Sequence, residues 1–395
     1  MNDINKGKIN KKSIHKDKFT ITYTVTDDLL MQALKLDESV FSKQEVGDFD
    51  MCKSWLEKNR DIYTFLLYEG RCIGYINFCR ITNDTFNKFY EGKMKDYNLT
   101  QQDILPFEVG AHNRCLFMSI AIAKEFRDSY AILKLCDGFY KRLAEFKDKG
   151  VLIQDVIIDC VSIDGVKFSI EQLCASYIRD SYNGKIYYTQ DIFIKRPIPK
   201  INLELLNREN LKVTSLIQYE IFKNNWCGYC DLLSEIESRE KGIDIGLPVT
   251  YLIKHFNKPI GIIGLYELKQ YPNTIWLNWF GILPKYRNRG FGTHALFMII
   301  NLARKFGRKE FRLVTYKIWN HQAQHIYQKT MQRAEPYTNK DDWQYAIKYG
   351  KPMIFSSSLV DKTVSKWNNK YVDLLSDETL HNNSLKKLRE DGLIK

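Results

Sequence analysis

The segment Ile275-Trp276-Leu277-Asn278-Trp279-Phe280-Gly281-Ile282-Leu283 is an apolar run stopped by Pro284. Its length and its boundary suit a buried strand better than a helix. A short basic turn follows, Arg287-Asn288-Arg289-Gly290-Phe291-Gly292-Thr293, after which Leu296, Ile299, Ile300 and Ala303 recur at the helical period. Both glycines therefore stand where a helix begins. Unpaired backbone N–H groups and the positive end of the helix dipole favour an anion there. Missing side chains at Gly290 and Gly292 allow a phosphate to approach the backbone, and Arg287 and Arg289 add positive charge. The turn is no Walker loop, which needs Gly-Lys-Ser/Thr, and no dinucleotide fingerprint, which needs Gly-x-Gly-x-x-Gly after the strand.

The chain repeats itself around this feature. Thr64 to Ile76 reads as two apolar strands about the polar turn Glu69-Gly70-Arg71, and Thr250 to Ile262 reads the same way about Phe256-Asn257-Lys258. Each hairpin is followed by a further strand, a basic turn and a helix: Leu116 to Ala123 before Arg127, and Ile275 to Leu283 before Arg287. A strand follows each helix, Leu152 to Val161 and Phe311 to Tyr316. Gly150 and Gly307 stand where each helix should be capped. The spacing predicts an ancient duplication. The prolines of Lys195-Arg196-Pro197-Ile198-Pro199-Lys200 cannot lie inside a helix and mark the join. The first half carries an insertion, Ile81 to Asn113, whose Phe86, Phe89, Tyr90 and Tyr97 make it a candidate for reaching an acceptor.

A length of 395 residues suits about two domains, and 44% apolar with 13% aromatic residues can fill their cores. The net charge of +12 is spread through a chain rich in Lys, and its sharpest cluster is the N-terminal Lys6 to Lys18. A frayed, solvated terminus explains that cluster, so neither nucleic acid nor a membrane surface is expected as a partner. No apolar run reaches the ~20 residues of a membrane span, and the start of the chain resembles no signal peptide. Nine scattered cysteines suit free buried thiols in a reducing cytoplasm. Trp226-Cys227-Gly228-Tyr229-Cys230 looks like a thioredoxin active site, but Pro248 follows too soon for the helix, strand and helix that such a fold places between its two signatures. No second Cys or His pair nearby would complete a metal site.

Ile282-Leu283-Pro284-Lys285-Tyr286-Arg287-Asn288-Arg289-Gly290-Phe291-Gly292 closely resembles the pyrophosphate-binding motif of the GNAT superfamily of acyl-CoA-dependent N-acetyltransferases. Asn320-x-x-Ala323-x-x-x-Tyr327, after the next strand, is similar to that superfamily's second motif. The resemblance covers about residues 211–358. It implies an α/β (α+β) fold of two GNAT-like domains in tandem, each a mixed, mostly antiparallel sheet flanked by helices. It also implies acetyl-CoA as cosubstrate, with pantetheine between two splayed strands. Backbone groups around Ile282 would align the acetyl carbonyl, and the amides of Asn288, Arg289, Gly290, Phe291, Gly292 and Thr293 would take the pyrophosphate beside Arg287. Asn320 would touch the pantetheine arm. Tyr327 would protonate the departing thiolate. The reaction implied is direct attack by a primary amine, of a small molecule in the leading reading. Rival readings are a protein or aminoacyl-type acyltransferase and a CoA-binding regulatory protein without turnover.

An amine with a pKa near ~10.4 must shed a proton before attack. Many relatives carry a carboxylate on the strand before the loop, but Trp276 to Leu283 holds none, leaving Glu267 and Glu335 as the candidates. Trp276, Trp279 and Tyr266 are either acceptor-pocket walls or core. In register, Ile122 to Ile132 keeps Arg127 but puts Tyr130 and Ile132 at the glycine positions and Asp128 beside them. That half looks like a degenerate GNAT domain unable to hold cofactor. The expected layout is a flexible basic terminus at 1–17, the degenerate domain at 18–196, a linker at 197–210, the cofactor-binding domain at 211–358 and a helical tail at 359–395. The tail's helical pattern is carried by Val364, Trp367, Tyr371, Leu374 and Leu375. A monomer and a homodimer are both compatible with this layout.

Overall fold

The computed structural model describes residues 14–41, 47–127, 129–182, 184–190, 192–193, 198–222, 227–242, 248–316, 321–337, 352–360, 363–367 and 378–394. The chain divides into two compact units, Met1–Arg196 and Pro197–Val360, the second joined by Val364–Lys395.

The first unit runs β1 (Phe19–Thr22), α1 (Asp27–Val40), α2 (Phe49–Lys58), β2 (Tyr63–Tyr68), β3 (Arg71–Ile81), α3 (Asn83–Tyr90), β4 (Ile104–Leu105), β5 (His112–Ile122), α4 (Ala131–Asp148), β6 (Leu152–Cys160), α5 (Ile163–Glu171), β7 (Ser176–Asp180) and β8 (Lys185–Thr189). Its sheet has the order β1-β2-β3-β5-β6-β8-β7, with β4 beside β3. The second unit runs β9 (Asn202–Leu205), α6 (Leu211–Phe222), α7 (Tyr229–Glu240), β10 (Val249–His255), β11 (Lys258–Tyr266), β12 (Thr274–Ile282), α8 (Phe291–Ala303), β13 (Glu310–Tyr316), α9 (His321–Thr330), β14 (Arg333–Pro336), β15 (Pro352–Ser358) and α10 (Glu378–Glu390). Its sheet, read from β9, is β9-β10-β11-β12-β13-β15-β14.

Setting aside α3, β4 and α10, the two units have one topology. In each, a single parallel pair, β5 with β6 and β12 with β13, sits in an otherwise antiparallel sheet. The expected mixed, mostly antiparallel sheets with flanking helices are what the chain forms. Helix periodicity is met as well: Leu296, Ile299, Ile300 and Ala303 of α8 are buried. Gly150 and Gly307 lie past the helix ends at φ +81° and +69°, a left-handed conformation that glycine adopts without penalty.

Three expectations need correction. The segment expected as a linker, 197–210, contributes β9, which pairs with β10 from Leu205↔Tyr251 to Asn202↔Lys254. Within the insertion, Phe86 and Phe89 are core residues of the first unit, on a helix capped by the Thr82 side chain, so they do not reach outward, whereas Tyr90 and Tyr97 are exposed. In the tail, residues 363–367 are not helical, and the helix lies later, at Glu378–Glu390. Val364 and Trp367 are nevertheless buried. Tyr371, Leu374 and Leu375, like residues 1–13 of the basic terminus expected at 1–17, lie outside the described residues.

Candidate active site

Strands β12 and β13 pair only through Thr274↔Glu310, Ile275↔Phe311 and Trp276↔Arg312. Beyond that point β13 stays with β15 as far as Tyr316↔Pro352, while β12 stays with β11 as far as Ile282↔Gly261. The two parallel strands therefore part at Trp276. From Leu277 to Ile282 one edge of β12 has no strand beside it among the described residues, and Leu277 to Gly281 are half-buried. Backbone N–H and C=O groups on such an edge are strong hydrogen-bonding groups that a ligand can satisfy.

A β-bulge bends β12 inside this stretch. Asn278 faces Gly264 and Gly281 faces Ile262, so Trp279 and Phe280 together oppose Ile263. Trp279 has φ +42°, a conformation that costs a residue other than glycine about 1–3 kcal/mol unless packing enforces it. The packing is visible. A Cβ on Gly228 would stand 2.5 Å from Trp279 Cζ2, and the Phe222 ring meets the indole edge-on at 5.7 Å. Gly281 gives way likewise, since a Cβ there would stand 2.5 Å from Ile221 Cγ2.

At the open end β12 passes through a 3-10 turn, Pro284–Tyr286, into the basic loop. Asn288 and Gly290 adopt φ +60° and +80°, which swings the chain into α8, and Gly290 as N-cap offers no side chain to the first amides of the helix. Those amides stay available to an anion. Asn288, Arg289 and Gly290 are exposed, as the expected phosphate contacts require. The other loop residues act differently. Arg287 donates from Nε to the carbonyl of Ile282 at 2.8 Å and so ties the loop to the strand end. Phe291 and Thr293 are buried, Phe291 against the His255 and Tyr286 rings, which leaves them their backbone only. At Gly292 an added Cβ would meet Ile326 Cδ1 at 3.3 Å, so the missing side chain leaves room for α9.

Tyr327 of α9 stands beside the splay, its ring 6.1 Å from Phe280 of β12 and 5.5 Å from Phe355 of β15. Its hydroxyl is held by no hydrogen bond among the described residues. Burial pushes its phenol above the ordinary tyrosine range, which keeps the proton on oxygen at neutral pH. Asn320 lies outside the described residues.

The two carboxylates are placed otherwise than expected of a base. Glu267 follows Tyr266, which pairs with Trp276, so it sits at the closed end of β12, about 20 Å of strand from Ile282. It is also paired with Arg308. Glu335 accepts from the Trp367 backbone N–H at 2.9 Å and lies 3.5 Å from Arg333. Both are committed to structural contacts. Trp276 is fully buried among Tyr266, Tyr271 and Trp367 and is core. Cys227 is buried and its thiol is pushed up by burial, the reverse of a reactive cysteine. All nine cysteines are free. No cluster of metal-ligating side chains occurs among the described residues, and no described helix is long and apolar enough to cross a membrane.

The first unit has the splay and the tie but not the loop. Pairing of β5 with β6 ends at Phe117↔Ile158 while β5 continues to Ile122, and Arg127 donates from Nε to the Ile122 carbonyl at 3.2 Å. The residue at the N-cap is Tyr130, at φ −67°, with Phe19 6.5 Å from its ring and the Lys16 ammonium 4.8 Å above it. Asp128 lies outside the described residues.

Residues 219–331 match the family model described as acetyltransferase (GNAT) family. Among solved structures the chain is similar to an acetyltransferase from Thermus thermophilus, at 13% identity over 41% of this chain and 99% of that one, with a TM-score of 0.31. It is similar to a GNAT-family acetyltransferase from Staphylococcus aureus, at 19% identity over 40% and 99%, with a TM-score of 0.31. A third is the PaiA N-acetyltransferase from Thermoplasma acidophilum in complex with coenzyme A, at 17% identity over 40% and 99%, with a TM-score of 0.29. No curated protein sequence matches the chain.

Proposed function

Since the second unit carries a GNAT-family acetyltransferase domain, we propose that the chain transfers an acetyl group from acetyl-CoA to a primary amine, most simply that of a small molecule. The observation that carries this reading is the parting of β12 from β13 at Trp276, with the uncapped start of α8 at its open end and the Tyr327 ring at its side. Acetyl-CoA supplies the activated thioester. The free edge of β12 from Leu277 to Ile282 holds the pantetheine arm and the thioester carbonyl through backbone groups. The amides from Asn288 to Thr293 hold the pyrophosphate, and the exposed Arg289 adds charge. As the amine nitrogen bonds to the carbonyl carbon and the C–S bond breaks, Tyr327 hands its phenolic proton to the departing thiolate, the nitrogen gives up a proton to water, and water returns one to the phenolate.

With Glu267 and Glu335 both engaged, the amine enters already neutral or loses its proton to water. Commitment of those carboxylates favours one second reading, a CoA-binding regulatory protein without turnover. The first unit is, in this account, a GNAT-like half that binds no cofactor, because Tyr130 replaces the left-handed glycine. Thiol release from acetyl-CoA across a panel of amines, peptides and aminoacyl acceptors, with product mass measured, decides between the readings. Amine-dependent release with an acetylated amine supports the enzyme, and tight acetyl-CoA binding without release supports the sensor.

A further inference from the structure

Helix α7 begins without a side-chain cap of its own, since its N-cap residue is Gly228. The amides just before its start and in its first turn are satisfied from elsewhere. The Gly228 N–H donates to Gln218 Oε1 of α6 at 3.1 Å. The Cys227 N–H donates to His381 Nδ1 at 2.8 Å and the Cys230 N–H to Ser384 Oγ at 3.0 Å, both acceptors on the C-terminal helix α10. The Tyr229 hydroxyl donates to Asp391 Oδ2 at 2.6 Å just past the end of that helix. Ser384 and Leu388 are fully buried there. A distant segment thus closes an end that would otherwise leave buried donors unpaired.

What α10 closes is the wall of the splay. Gly228 lies under the Trp279 indole, and Trp279 is the left-handed residue of the β12 bulge. Leu385, Leu393 and Ile394 pack into the same apolar cluster as Trp279, Phe222, Cys227 and Leu232. The contacts run without a gap from His381 to Cys227 and Gly228, then to Trp279 and the free edge of β12.

We propose that the C-terminal helix is a working part of the acyl-transfer site: His381, which holds the residue before the N-cap of α7, and Ser384, which caps its first turn, are positioning residues, and through Gly228 they hold the Trp279 bulge that aims the free backbone edge of β12. The positioning role in turnover rests on the acyltransferase reading, whereas the hold on the bulge does not. The Asn side chain places an acceptor oxygen where the imidazole places Nδ1, so His381→Asn keeps the cap and His381→Leu removes it while keeping apolar bulk. The full chain in the three forms is compared by thiol-release kinetics, by calorimetry with acetyl-CoA and by hydrogen exchange of peptides covering β12 and the start of α7. His381→Leu should lower kcat at least fivefold with the KM for acetyl-CoA within threefold. It should also raise exchange at Leu277–Ile282 at least threefold, and His381→Asn should restore both. Exchange at β12 unchanged in His381→Leu, or equally raised in His381→Asn, would overturn the proposal. If no form releases thiol, the exchange data alone decide it, and the failure then belongs to the acyltransferase reading. Should His381→Leu not fold, Ser384→Ala in the same assays takes its place.

Discussion

The Nε of Arg287 donates to the carbonyl oxygen of Ile282, and the pair joins the end of the free strand edge to the loop that starts α8. Arg287 therefore acts on an anion through the shape of the loop as well as through charge. Replacing Arg287 by Ala should weaken acetyl-CoA binding ~10- to 100-fold, the range expected for losing a hydrogen bond from a charged group. Arg289, exposed and without that tie, should act through charge alone, so Arg289→Ala should lose its effect as salt is raised. Arg127→Ala in the first unit should leave affinity unchanged. Calorimetry at two ionic strengths checks all three, and unchanged affinity in a folded Arg287→Ala variant refutes the assigned loop.

Tyr327→Phe removes the proposed proton donor and keeps the ring contacts with Phe280 and Phe355. Turnover should fall about 10²-fold or more, the usual worth of a positioned acid. Affinity for acetyl-CoA should stay within threefold. Because burial holds the phenol above its ordinary range, wild-type kcat should show no alkaline loss from this group below pH 10. Turnover at the wild-type level would return Tyr327 to a packing role.

In the first unit, burial pushes the Asp37 carboxyl from 3.8 up to about 7, although Tyr75 donates to it at 2.5 Å. The nearby Asp96 raises it further, and buried Tyr63, Cys52 and Cys72 also stand around it. An acid whose folded pKa lies above its unfolded value favours folding most when protonated in both states, below about pH 4. That contribution is lost as pH rises to about 7 and then stays flat, a change of about 4 kcal/mol at 1.36 kcal/mol per pH unit. Asp37→Asn keeps an acceptor for Tyr75 and should raise the melting temperature at pH 8 but not at pH 4. Denaturation of both proteins across pH 4–8 tests this, and parallel curves contradict it.

The strand at Ile275–Leu283, its stop at Pro284, the place of Gly290 at a helix start and the inward face of α8 were legible because each follows from local chemistry. The bulge was not. Trp279 is neither Gly nor Asn, and only an indole packed on Gly228 holds it at φ +42°. The part that Gly292 plays in admitting α9 was not legible either, because the sequence does not show Ile326 arriving there. Glu267 failed as a base for a similar reason: its place on the chain was right, but the register of β11 puts it at the closed end. Val364 and Trp367 mimic a helical period while lying in a non-helical segment, where Glu335 holds the Trp367 backbone. Two like-folded units were foreseen from the repeated hairpins, yet β9, four residues long and half polar, could not be told from a linker.

The expected stoichiometry is one acetyl-CoA per chain, held in the second of two units of like topology. Gly290 matters most here, because side chains rarely adopt φ +80° and Pro199 Cγ would stand 3.3 Å from an added Cβ. A carboxylate there would also oppose an anion at the start of α8. The measurement is a calorimetric titration of the full chain with acetyl-CoA, beside Gly290→Glu. One molecule bound per wild-type chain and none by the folded variant is the predicted result. Two molecules per chain, or one that survives the Gly290 change, would show that the half with Tyr130 at its helix start holds cofactor after all.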